Sequence, residues 1–101
     1  MKLLTQEIIK KMPALYATDG APKDKREIVV KFFTPDSNWT WYVLEGEKQG
    51  DDWLFFGLVD GHEKELGYFT LNELLTVRGG LGLPIERDMY FSGRMLSEFM
   101  D

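Results

Sequence analysis

Four β-branched and aromatic segments between residues 27 and 69, joined by short turn-forming connections, leave this chain few choices of fold. Glu27–Thr34 is the first, and Pro35-Asp36-Ser37-Asn38 follows as turn chemistry. Trp39–Glu45 is the second, closed by Gly-Glu-Lys-Gln-Gly-Asp. Trp53–Val59 is the third, Asp60-Gly61 a hairpin signal, and Glu65–Phe69 the fourth. Parallel pairing needs crossovers of about a dozen residues or more, so these connections imply an antiparallel meander.

Helical spacing flanks the meander. Thr5 can cap a helix whose apolar positions include Ile8, Ile9 and Met12, with Pro13 ending it, so a helix is expected over 5–12 and a short turn over 13–17. Residues 18–25 read as a solvated loop. Thr70-Leu-Asn-Glu73 is a capping box that opens a helix over 71–78, stopped by Gly79-Gly80. Residues 84–91 read as a short strand or an extended segment, and 94–100 as a last helical turn. The expected fold class is α+β: a single antiparallel sheet of four to five strands with two or three short helices packed on one face, in one domain over 1–101.

Composition narrows the chemistry. The chain has 101 residues, no cysteine and one histidine, His62, which excludes disulfides, thiolate metal sites, a cysteine nucleophile and any two-imidazole site within one chain. Net charge is −5, divided as +1 over residues 1–50 and −6 over residues 51–101. That sign opposes general nucleic-acid binding and suits a basic groove on another protein. The longest uncharged apolar run, Trp53–Val59, is far short of the ~20 residues of a membrane helix. No leader is expected at the start, and a cytoplasmic protein without a membrane partner is the expectation.

Several positions stand out as binding candidates. Alternation places Trp39 and Trp41 on one face of the second strand, with Thr40, Tyr42 and Leu44 on the other. Either this is a central strand, with one face under a helix and the other under the Leu81–Pro84 loop, or Trp39, Trp41 and Tyr42 form an exposed stacking platform. Asp36 and Asn38 give an acceptor-rich corner that reads as a turn and lacks calcium-loop spacing. Asp51, Asp52, Asp60, Glu63 and Glu65 form an acidic set at turns, either a solvated edge or a binding surface. Arg87, between Glu86 and Asp88, is expected to pair with a sheet carboxylate such as Glu65. His62-Glu63-Lys64-Glu65-Leu66 lacks the second histidine of a zinc-peptidase helix, and Arg78-Gly79-Gly80-Leu81-Gly82 lacks the ending of a phosphate loop. No catalytic set, cofactor or metal is expected.

Five stretches carry a resemblance: Leu4–Tyr16; Val29–Tyr42; Phe55–Gly61; Glu63–Leu74; and Leu83–Asp88. Together they resemble a small bacterial family, a domain of unknown function carried on plasmids, phages and integrated elements. The resemblance implies an accessory protein of mobile DNA and assigns no reaction or functional residue. In that setting the expected function is a non-enzymatic protein-interaction module. One form is an acidic counter-defence inhibitor in the basic groove of a host or mobile-element protein that processes nucleic acid. The alternative is a single-stranded nucleic-acid accessory protein using the aromatic strand face. A small enzyme centred on Asp60, Glu63 and Glu65 is a third, weaker class.

Overall fold

The computed structural model describes all 101 residues. Helix α1 (Gln6–Lys11) is capped by the Thr5 side chain, which accepts from the Ile8 N–H at 3.3 Å. Strands β1 (Val30–Phe33), β2 (Thr40–Gln49), β3 (Asp52–Asp60) and β4 (Lys64–Thr70) follow. Helix α2 (Leu71–Thr76) opens on the reciprocal Thr70–Glu73 capping box. Strand β5 (Glu86–Arg87) is the extended segment near the end, and the last helical turn is a 3-10 turn over Leu96–Glu98.

The fold is α+β, with one open antiparallel sheet in the order β4-β3-β2-β1-β5. Each of the four expected strands forms, with shifted ends. The first is shorter than the sequence suggests, because Glu27 leaves β1 and bridges to Met95. The second runs on to Gln49, so the turn shrinks to Gly50-Asp51, with Gly50 at φ 62°. Helix α2 stops at Thr76, ahead of the glycine pair, and Gly79 instead makes room for the Asp36 carboxylate.

A bulge explains the longer β2. Val43 pairs with Gly57, but Glu45, not Leu44, pairs with Phe56. One extra residue therefore puts Leu44 and Glu45 on the same side of the sheet and turns Gly46 to the other. Gly46 must be small there, since a Cβ would press on the Phe55 ring and lie 3.3 Å from Met12 Sδ.

Both faces of the sheet are covered. Leu3, Leu4, α1 and α2 pack on the first face over Phe32, Trp41, Val43 and Phe55. The second face holds Ile28, Tyr42, Leu44 and Leu58. The Leu81–Pro84 loop does not cover it. That role falls to the C-terminal segment, whose Phe99 stacks on Tyr42 with ring centres 4.5 Å apart and whose Leu96 is fully buried. Two backbone bonds of 2.9 Å hold the segment there, Ile28 N–H to the Arg94 carbonyl and Leu96 N–H to the Arg26 carbonyl. The exposed aromatic platform is thereby overturned for two of its three rings: Trp41 and Tyr42 are each 6% exposed, one in each core.

A side chain at Gly57 would overlap the Tyr42 carbonyl on the neighbouring strand. Gly57→Ala is expected to lower unfolding free energy by about 2–3 kcal/mol, since backbone must shift to admit the methyl group. Urea melts of the two proteins check this.

Candidate functional site

The only partly exposed tryptophan among the sequence candidates is Trp39, and it defines a recess. Thr34 anchors the residue: the Trp39 N–H donates to Thr34 Oγ1 at 3.0 Å, and the Thr34 hydroxyl donates to the Trp39 carbonyl at 3.2 Å. The indole stacks on Trp41, with ring centres 5.9 Å apart, and meets His62 edge-on at 5.5 Å. Gly61 lies against the ring so closely that any Cβ would collide with it. The hairpin signal Asp60-Gly61 therefore has a second cause, the room this indole needs.

Trp39, Val59, His62, Glu63 and Glu65 line a shallow open recess of about 290 Å³. Alternation brings Val59 and Glu65 to the same face as Trp39, and they are direct partners across the β3–β4 ladder. Neither Glu63 nor Glu65 has an ion-pair partner. The lysine between them, Lys64, sends its ammonium to the Phe99 carbonyl on the other face at 2.8 Å. The recess thus combines an indole with two exposed, unopposed carboxylates, a pairing that suits a cationic side chain.

The remaining candidates lie elsewhere. Asp60 is on the second face, where its charge, after burial itself, pushes the Tyr42 phenol up while Arg94 opposes both. It does not converge with Glu63 and Glu65, so the acid–base triad imagined for an enzyme is not assembled. Asp51 and Asp52 are at the opposite end of β3, so the acidic set falls in three places. Asp52 is also occupied, since its Oδ1 accepts from Trp53 N–H at 2.7 Å and Asn72 N–H at 3.0 Å.

Asp36 serves the fold as well. Its Oδ2 accepts from Leu81 N–H at 2.7 Å and Leu83 N–H at 3.2 Å, and its carboxylate fills the space a Gly79 side chain would need. The glycine-rich stretch is therefore a loop wrapped on a carboxylate, and Asn38 beside it is exposed. Arg87 does not reach Glu65. It donates to the backbone carbonyls of Lys2 and Leu3 and ties the N-terminal segment to β5. No group of three or more His, Cys, Asp or Glu side chains comes into metal-holding geometry.

Sequence reasoning passed over one constellation. Glu45 is only 2% exposed, and its carboxylate accepts from the backbone N–H groups of Tyr16 and Thr18, each at 2.8 Å, and from the Thr18 hydroxyl. Arg26 Nη2 completes the set at 3.3 Å, also donates to Thr18 Oγ1 at 3.0 Å, and the guanidinium lies over the Phe56 ring. Tyr16 pays the conformational cost, with φ at 71°, a region rare for a bulky side chain. Burial pushes the Glu45 carboxyl up, but the Thr18 hydroxyl, the Thr18 and Tyr16 N–H groups and Arg26 together outweigh it and hold it below the usual carboxylate range. The available signal was a lone acid after four apolar residues and before Gly46.

A depressed carboxyl stabilises the fold above its ordinary value, and that contribution is lost as pH falls through the lower folded value. Stability is expected to decline below about pH 4.3, the usual glutamate range, partly through Glu45. Glu45→Ala, which strands Arg26, is expected to cost about 3–5 kcal/mol at neutral pH and to flatten this acid-side slope. Chemical denaturation from neutral to acid pH measures both.

No curated protein and no solved structure matches this chain. One family does, over residues 3–101, under the description Protein of unknown function (DUF2958). With nearly its whole length inside that match, the chain belongs to the DUF2958 family.

Proposed function

We propose that the chain is a non-enzymatic protein-interaction module that seats a basic side chain of a partner in the Trp39 recess. The observation that carries the reading is the unopposed pair Glu63 and Glu65 beside a partly exposed indole. A lysine or arginine entering there gains contact with the indole and two carboxylates, and the −6 charge of residues 51–101 draws a basic surface toward them. The partner class that fits is a basic protein that processes nucleic acid. The mobile-element setting implied by the sequence resemblance makes counter-defence the biological form of this reading: an acidic domain occupying a host groove that otherwise takes nucleic acid. A stacking role on single-stranded nucleic acid loses support, because Trp41 and Tyr42 are inside the protein.

An arginine-rich peptide is expected to quench tryptophan fluorescence and bind measurably in low salt, weakening as salt rises, while a glutamate-rich peptide does neither. Glu63→Lys with Glu65→Lys is expected to weaken arginine-peptide binding at least ~10-fold, and Asp51→Lys to change it far less. Equal binding by the reversed recess and the native one would remove the reading.

A further inference from the structure

Strand β4 ends the sheet order and has no strand on its outer side. Its register with β3 decides which backbone groups face outward. The β3–β4 turn closes with Gly61 N–H donating to the Glu63 carbonyl at 3.1 Å, and at the far end the Thr70 N–H is taken by the Glu73 carboxylate at 3.2 Å. Odd-numbered β4 residues therefore bond to β3, and Leu66 and Tyr68 turn their N–H and C=O groups to the open edge.

We propose that this edge pairs with the same edge of a second copy of the chain, antiparallel and centred on Gly67. The two outward rungs lie symmetrically about Gly67, which is what a two-fold axis requires. Leu66 then faces Tyr68 of the second copy, and Tyr68 faces its Leu66, with each pair exchanging backbone hydrogen bonds. Tyr68 is 53% exposed and gains apolar cover by this pairing. Gly67 meets its own copy at the close, non-bonded position, and no atom lies within 4 Å of where its Cβ would be, so the approach is open. The register opposes no like charges, since Glu65 faces Phe69 and Lys64 faces Thr70. Nor does the ladder of this strand contain a bulge or a proline to block an incoming edge. The proposal does not depend on the Trp39 recess, and the result would be one continuous ten-stranded sheet.

The chain has no cysteine, so a single introduced thiol reports the geometry directly. Gly67→Cys places two sulfurs across the axis at the Cα separation of about 4.5 Å that a cross-strand disulfide tolerates. This variant is expected to oxidise to a covalent dimer at least ~10-fold faster than Lys10→Cys, whose thiol is on exposed α1. Sedimentation equilibrium of the native chain from about 1 μM to 1 mM is expected to show a monomer–dimer equilibrium, with Gly67→Asp shifted at least 10-fold toward monomer and unchanged in circular dichroism. A native chain that stays monomeric throughout, or Gly67→Cys cross-linking no faster than Lys10→Cys, would overturn the proposal and leave the edge to a strand from another protein.

Discussion

The carboxylate of Glu45 is the interaction on which the path of the chain depends. It is buried because one extra residue in β2 turns it, with Leu44, onto the second face of the sheet. Once there it must be satisfied, because an unpaired buried charge costs several kcal/mol. The donors come from two separate stretches, Tyr16–Thr18 and Arg26. A bond from Gly46 N–H to the Pro13 carbonyl, 3.0 Å long, fixes the first stretch further along the same strand. Such a pair adds little net stability over an apolar substitute, but it admits few alternative paths for the residues that donate to it. The left-handed Tyr16 is the local strain that path demands.

From that anchor the second face is completed. Arg26 is held by Glu45 on its side chain and by Leu96 on its carbonyl. Arg26 thus joins the N-terminal loop, through its guanidinium on Thr18 and Glu45, to the C-terminal segment, through its carbonyl. Arg94, lying over both Phe91 and Phe99 at 5.8 and 4.9 Å, secures the aromatic cover at the other end. A short chain closes both faces of one sheet in this way, using helices on one side and irregular backbone on the other.

Charge is organised by the same division. Carboxylates that the fold uses, at Asp36, Glu45, Asp52 and Glu73, accept backbone or side-chain donors. Those at Glu63 and Glu65 accept none and lie beside Trp39. The distinction separates structural acids from acids free to meet a partner, and composition alone treats them alike.

Local sequence determined the strands, the two capped helices and the antiparallel order of the meander, because β-branched runs, turn residues and capping side chains act within a few residues of themselves. It also placed Trp39 and Trp41 on one face, since alternation is a property of the strand. Only the tertiary structure decided that Phe91–Met100 and not Leu81–Pro84 would cover Tyr42, and that Arg87 would hold the N-terminal backbone. Each of these depends on contacts between residues far apart in the chain, and the burial of Glu45 depends on a single bulge that reverses which side every later β2 residue faces. Residue type states what a group can bind; the fold states what is left within its reach.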